Sequence, residues 1–213
     1  MTRAREHDSV TRGRLLSAAT RLFAAQGFKR VTVRDICREA EANVAAVNYH
    51  FGDKLGLYRE VLLTAIQTMR GTNEAAREAG REGSAEERLR AYIQVFLERV
   101  VVGRAHDSWI HQLMLREMAD PTPAIGLVTD QVIRPRLEYL ATIVAELLHR
   151  DPDDEVVRRC VVSVHSQFLI AMPNSIAKRL LPDVRDPHVL SQWASHITRF
   201  SIEGIRGVGQ APT

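Results

Sequence analysis

Residues 27–54 constrain the fold more than any other stretch, because signals that end and start helices recur there at short intervals. Gly27 has the position of a left-handed glycine that closes a helix. Thr32 and Asp35 have the spacing of a capping box, and Asn43 is suited to cap a further helix. Helices of only two turns are therefore predicted to follow one another in this stretch.

Four helices are predicted in the first part of the chain. The first begins at Thr11, the second spans 33–40, the third runs from Val44 to about His50, and the fourth begins at Lys54. A three-residue turn separates the second helix from the third. This is the pattern of a helix-turn-helix, in which the second helix of the pair enters the DNA major groove.

Apolar residues continue at helical spacing through the rest of the chain, and no alternating pattern indicates a strand pair. Three glycines make 71–83 the weakest predicted helix and the expected boundary between two bodies. Pro135 and Pro173 predict a restart or a kink within their helices. The fold class expected is all-α, with further helices at 84–100, 107–119, 123–149, 154–181 and 187–206.

The net charge of +3 is unevenly distributed. Residues 1–60 hold 11 Lys and Arg against 7 Asp and Glu, whereas residues 61–213 hold 18 against 19. The positive excess therefore lies on the segment that carries the helix-turn-helix, where a polyanion would dock.

Other classes of protein are disfavoured by what the sequence lacks. The polar N-terminus and the absence of 18 consecutive apolar residues predict no secretory signal and no membrane span, so a cytoplasmic location is expected. Two distant cysteines, Cys37 and Cys160, do not form a disulfide framework or a zinc-finger pattern.

Enzyme and cofactor signatures are also missing. Glu146 and His149 form one ExxH pair, but a di-iron bundle needs two such pairs and two further glutamates. His106 and His111 are five residues apart, which differs from the spacing of a helical zinc pair. No P-loop, GxSxG or dinucleotide glycine pattern occurs, and we expect neither catalysis nor a cofactor.

The third helix and its surroundings supply groups suited to DNA. The small apolar side chains near its start can contact thymine methyls, and Arg34 has the fork geometry to bind guanine. Polar side chains and the amides at the start of the fourth helix suit phosphates. The predicted DNA-binding residues are Thr32, Arg34, Asn43, Val44, Ala45, Ala46, Asn48, Tyr49, His50 and Lys54.

One alternative remains open on the residues alone. The same segment can be read as a small helical bundle in which Tyr49 and Phe51 belong to the core and Thr32 only caps a helix. The protein would then bind protein partners through its N-terminal bundle, without specific DNA binding.

Residues 11–58 resemble the N-terminal domain of the TetR/AcrR family of bacterial transcriptional regulators. The matching segments are Thr11, Leu15–Ala19, Leu22–Phe28, Thr32–Ile36, Tyr49–Lys54 and Leu57–Tyr58. The sequence departs from the family pattern at Glu41, where glycine is usual, and at Asn48, where tyrosine is usual. Glutamate costs about 1 kcal/mol if the left-handed conformation of that glycine is kept.

Later segments resemble the CecR-like branch of the family. They are Leu115–Ala124, the Arg134-Pro135 pair, and Asn43–Phe51. The resemblance implies a helix-turn-helix domain at 1–58 and a helical domain at 59–213 that dimerises and binds a small-molecule effector. It further implies a homodimer, most simply a repressor, on a palindromic site in double-stranded DNA, and no membrane partner.

Large apolar and polar side chains in the second domain are candidates to bind that effector. They are Trp109, His111, Met114, Glu117, Met118, Tyr139, His165, Phe168 and Met172. Each apolar member can equally be plain core. The last two long helices carry more apolar positions than one packing face uses, so they are the expected dimer interface.

Overall fold

The computed structural model describes residues 2–102, 108–171, 179 and 186–210. Within these ranges the chain is all-α and contains no strand, as predicted. The α-helices are α1 Thr2–Gln26, α2 Val33–Ala40, α3 Val44–Phe51, α4 Lys54–Ala79, α5 Ala85–Phe96, α6 Ser108–Ala119, α7 Ile125–Val128, α8 Arg134–Leu148, α9 Glu155–Ala171 and α10 Pro187–Gln210. Two π-helical turns, Leu97–Val102 and Thr129–Ile133, follow α5 and α7.

The chain divides into two compact units. Unit 1 comprises residues 1–68 and 106–129, and unit 2 comprises residues 69–105 and 130–213. The division falls within α4, and α6 lies in the same unit as the N-terminal helices. The functional boundary expected after residue 58 stays a prediction.

Two helix boundaries differ from those predicted. Helix α1 begins at Thr2 instead of Thr11, because no glycine or proline between them ends the helix. Helix α4 continues through Gly71 and ends at Ala79, so Gly71 does not interrupt it, and the predicted weakness of 71–83 stays a prediction. One helical glycine costs about 1 kcal/mol, and the burial of Thr72 and Ala76 offsets it.

The predicted interruption at Pro135 is confirmed. The chain passes from α7 through the second π-helical turn, and α8 restarts with Pro135 in its first turn, where a missing N–H does no harm. The Asn73 amide donates to the carbonyl of Val132 in that turn at 3.1 Å. The Pro173 prediction lies outside the described residues.

Each unit has its own apolar core. In unit 1, α1 to α4 bury large side chains from the predicted stripes, among them Leu15, Phe23, Ile36, Val47, Leu57, Tyr58 and Leu62. In unit 2, α5, α8, α9 and α10 bury Leu89, Tyr92, Ile93, Phe96, Leu140, Ile143, Val144, Val157, Val161, Leu190, Ile197 and Ile205. The first core positions the helix-turn-helix.

Candidate DNA-binding site

The capping box predicted at the start of α2 is present. The Asp35 amide donates to the Thr32 hydroxyl oxygen at 3.1 Å, and the Thr32 amide donates to the Asp35 carboxylate at 3.0 Å. The hydrogen bonds that the Thr32 hydroxyl and then the Thr32 amide donate to the Asp35 carboxylate hold the pKa of Asp35 below its usual value. The Thr32 hydroxyl itself donates to Asp35 at 2.6 Å, so this side chain is committed to the cap.

The turn between α2 and α3 has the backbone expected from the family pattern. Glu41 adopts φ 47° and ψ 49°, the left-handed region in which glycine is usual. Arg14 of α1 donates to the Glu41 carbonyl oxygen at 3.0 Å and contacts the Glu41 carboxylate at 3.1 Å. Glu41 therefore takes the left-handed conformation although it is not glycine, and the contacts with Arg14 of α1 support the turn.

Helix α3 presents one face to solvent. Asn43 caps it by accepting from the Ala46 amide at 2.8 Å, which leaves the Asn43 NH2 group available as a donor. Val47 is fully buried and anchors the helix to the core. The exposed residues are Val44, at 43% of its surface, Tyr49, at 76%, and also Asn43, Ala45 and Asn48, while Ala46 is half-buried.

The connection from α3 to α4 is tightly built. Asp53 caps α4 by accepting from the Gly56 amide at 2.6 Å. A Cβ atom on Gly56 would lie 1.9 Å from the Phe51 carbonyl oxygen, so only glycine fits. The Lys54 ammonium lies 4.2 Å from the centroid of the Phe28 ring, and its burial there lowers its pKa. Lys54 is thus half-buried at the start of α4, with its ammonium against an aromatic ring.

Arg34 is the arginine of α2 that is available to a ligand. It is exposed, and no described residue forms an ion pair or hydrogen bond with it. Its neighbour Arg38, one turn along α2, is held by Asp35 at 2.7 Å. The geometry therefore separates a free guanidinium from a paired one on the same short helix.

His50 does not point outward as the sequence suggested. Its side chain is 7% exposed, and its Nε2 lies 3.5 Å from the carboxylate of Asp8 in α1. The difference arises because α1 extends far enough toward the N-terminus to place Asp8 beside α3. His50 and Tyr49 instead line a surface concavity of about 340 Å3 together with Asp8, Thr11, Asn43, Ala45 and Ala46.

The predicted effector-binding residues are divided between the two units. Trp109, His111 and Met114 are half-buried in α6, Glu117 is buried there, and Met118 is 65% exposed; all five belong to unit 1. Tyr139 and His165 are half-buried in unit 2. The side chain of Phe168 and the whole of Met172 lie outside the described residues.

The end of α6 is fastened to α1 and α4 within unit 1. The Glu117 carboxylate accepts from the Tyr58 hydroxyl, and from the amide of Thr122 at 3.2 Å. Burial, and then the Glu117 carboxylate, raise the pKa of Tyr58. Arg116 donates to the carbonyl oxygen of Ala24 at 2.8 Å and also to that of Ala25, at the end of α1. Glu117 and Arg116 therefore hold these helices together, and for Glu117 this differs from the effector-binding role expected.

Comparison with known proteins agrees with this geometry. Residues 15–61 match the family described as bacterial regulatory proteins, tetR family. Residues 85–205 match the C-terminal domain of the HTH-type transcriptional dual regulator CecR. The chain belongs to the TetR family. Its second half places it in the CecR-like branch.

Individual proteins similar to this chain are also named as transcriptional regulators. The HTH-type transcriptional regulator TcmR of Streptomyces glaucescens is 32% identical over 163 residues, 72% of this chain and 67% of that protein. CecR of Shigella flexneri is 26% identical over 71% of this chain and 70% of its own length. The fold is also similar to that of the TetR family regulator PfmR from Thermus thermophilus, with TM-score 0.62 and 22% identity over 87% of this chain and 94% of PfmR.

The TetR family consists of DNA-binding transcriptional regulators, and these relatives are named as regulators rather than enzymes. In the described part of the chain, no group of three or more His, Cys, Asp or Glu side chains is arranged to hold a metal ion. No described helix is both long and apolar enough to cross a membrane.

Proposed function

We propose that this protein is a homodimeric repressor that binds a palindromic operator through α3 and releases it when a small molecule binds. The observation that carries the proposal is the exposed face of α3 beside the free guanidinium of Arg34. Family membership supports the DNA-binding part directly. The dimer, the operator symmetry and the effector rest on further features of this chain.

The exposed groups divide into those that read bases and those that position the protein. Arg34 can donate two hydrogen bonds to one guanine, and Val44 and Ala45 can contact thymine methyls. Asn48, Tyr49 and the NH2 group of Asn43 suit the phosphate backbone. We leave Thr32 and His50 out of this proposed contact set, because their polar atoms face Asp35 and Asp8.

A mobility-shift titration with the DNA upstream of the protein's own gene tests this assignment. Arg34→Ala is expected to weaken binding about 10-fold or more and to relax the choice at one base pair, since a bidentate contact contributes about 1–3 kcal/mol. Arg38→Ala is the matched control, because Asp35 already holds that side chain. An equal response of the two variants would contradict base reading by Arg34.

The salt dependence separates DNA binding from the alternative of a protein-binding bundle. Each phosphate contact is expected to add about −0.9 to the slope of log K against log salt concentration. Tyr49→Phe, which loses only the exposed hydroxyl, is expected to lower the affinity for DNA by the same factor for all sequences. Binding that does not respond to salt would reject the repressor and leave the protein-binding bundle.

The proposed dimer forms through α9 and α10. The two helices are joined by a hydrogen bond of 3.0 Å from Gln167 to Ser201. Val162 on α9 is 62% exposed, and Phe200 on α10 is 64% exposed, so each of the two helices leaves a large apolar side chain that a second copy could cover. Phe200→Glu is expected to give a monomer in analytical ultracentrifugation and to lose operator binding, whereas Arg199→Glu beside it serves as a charge control. A dimeric Phe200→Glu would exclude this interface.

The response to an effector is proposed to pass through α6. Its last turn is fastened to α1 by Arg116 and to α4 by Glu117, so a displacement of α6 cannot leave those helices unaffected. Arg116→Gln is expected to keep operator binding and to weaken the release by any compound that releases the wild type. Unchanged release by that compound would exclude this route.

A further inference from the structure

Unit 2 buries a guanidinium that belongs to none of the groups described so far. Arg136 lies in the first turn of α8 and is 5% exposed. Its Nε donates to the side-chain oxygen of Asn73 at 2.8 Å, and its guanidinium carbon lies 4.7 Å from the centroid of the Phe96 ring. Asn73 is itself fixed, because its NH2 group donates to Val132.

No carboxylate of a described residue pairs with Arg136. Arginine stays protonated in proteins, so burial cannot remove its charge as it can for lysine. A buried charge without an opposite charge is strongly unfavourable, and one neutral acceptor with one aromatic face compensates only part of that. The two terminal nitrogens of the Arg136 guanidinium have no hydrogen-bond partner among the described residues.

The neighbours of Arg136 add polarity without adding negative charge. The Tyr92 hydroxyl lies 3.3 Å from Nδ1 of His165, and burial with the nearby Arg136 charge lowers the pKa of His165 to about 4. His165 is thus neutral at physiological pH. One turn along α8, the Tyr139 hydroxyl is buried without a hydrogen-bond partner in the described part of the chain. Its ring centroid lies 6.4 Å from that of Tyr92.

We propose that Arg136 binds the carboxylate of an effector whose remaining part is apolar. Planar carboxylates match the guanidinium fork with two parallel hydrogen bonds, and the rings of Phe96 and Tyr92 suit an apolar body. The Tyr139 hydroxyl is a second donor on the same helix. This assignment rests on the proposed ligand-responsive function and names the class of its ligand.

Matched pairs of compounds test the proposal. The probes are straight-chain fatty acids of six to fourteen carbons and 2-naphthoic acid, each beside its primary amide, which has nearly the same shape but no charge. Thermal unfolding and release of fluorescent operator DNA are measured in the same samples. At least one acid is expected to raise the Tm and release the operator at a concentration at least 10-fold below that of its amide.

Variants at two arginines of α8 complete the test. Arg136→Gln is expected to lose at least 10-fold in response to the acid and to keep operator binding, while Arg136→Lys retains an intermediate response. Arg134→Gln is the matched control, because Arg134 is exposed and pairs with Asp130. An unchanged response of Arg136→Gln, release by amides as readily as by acids, or no response to any acid would overturn the carboxylate assignment. Operator binding without effector, read in the same samples, reports separately on the proposed function.

Discussion

Among the residues that the structure describes, each compact unit buries one charged side chain, and the two are held in different ways. Glu117 in unit 1 is 3% exposed, and its carboxylate accepts from the Tyr58 hydroxyl and from both the amide and the hydroxyl of Thr122. Arg136 in unit 2 is 5% exposed, yet among the described residues it donates only to Asn73. Glu117 joins α6 to α4 within unit 1, whereas Arg136 lacks an opposite charge, which a ligand can bring.

The largest effect on stability is expected from removal of the Glu117 carboxylate, which has several hydrogen-bond donors. Glu117→Ala leaves the buried donors of Tyr58 and Thr122 without an acceptor, so the free energy of unfolding should fall by about 3 kcal/mol. Urea unfolding followed by circular dichroism measures the change. Glu138→Ala, at an exposed position, is the control. A fall in the free energy of unfolding of less than about 1 kcal/mol would mean that Glu117 contributes no more to stability than we expect of Arg136.

The cluster around Arg136 should make unit 2 sensitive to acid. The pKa of His165 is lowered to about 4 in the folded state from 6.5, so its contribution is present above pH 6.5 and is lost as the pH falls toward 4. From pH 7.5 to pH 5 the loss is about 2 kcal/mol. His165→Gln is expected to remove this part of the pH dependence of unfolding, and exposed His188→Gln is the matched control. Parallel pH profiles of wild type and His165→Gln would contradict a buried neutral imidazole.

Removal of the Arg136 guanidinium, which has one hydrogen-bond partner among the described residues, should change stability little. Arg136→Met replaces the guanidinium with an apolar side chain of similar length, and the relief of the buried charge offsets the lost bond to Asn73. We expect the free energy of unfolding, measured without ligand, to change by less than about 1 kcal/mol. A loss as large as that of Glu117→Ala would show that both charges are structural, and it would remove the contrast between the units.

The smallest effect is expected in the turn of unit 1. Glu41→Gly relieves the left-handed strain and should raise the free energy of unfolding by about 0.5–1 kcal/mol, because the exposed ion pair with Arg14 contributes little. Glu39→Gly, two residues earlier and within α2, should lower it instead. Thermal unfolding compares the two variants. The same sign for both would show that the strain at residue 41 is negligible.

Much of the helix-turn-helix could be predicted because its signals are local. The cap of Thr32 and Asp35 and the cap of Asn43 each join residues three apart, whereas the left-handed conformation of Glu41 was expected only from the family resemblance. His50 was misjudged because helical periodicity shows which positions face outward but not how far α1 extends to cover them. The apolar face of α8 contains Arg136 at the spacing of Leu140 and Ile143, and this was the signal that could have revealed it.

The sequence by itself determined the all-α class, the order of the N-terminal helices and the exposure of Val44 at the start of α3, because caps and periodicity act within one or two turns. The exposure of Tyr49, which the residues alone left open, was decided by the structure. Only the tertiary structure decided which charges are buried and how each is bonded. Tyr58 and Glu117 are 59 residues apart, and Asn73 and Arg136 are 63 apart. Burial raises the strength of such contacts and the penalty for missing ones, and no local pattern encodes which side chains meet.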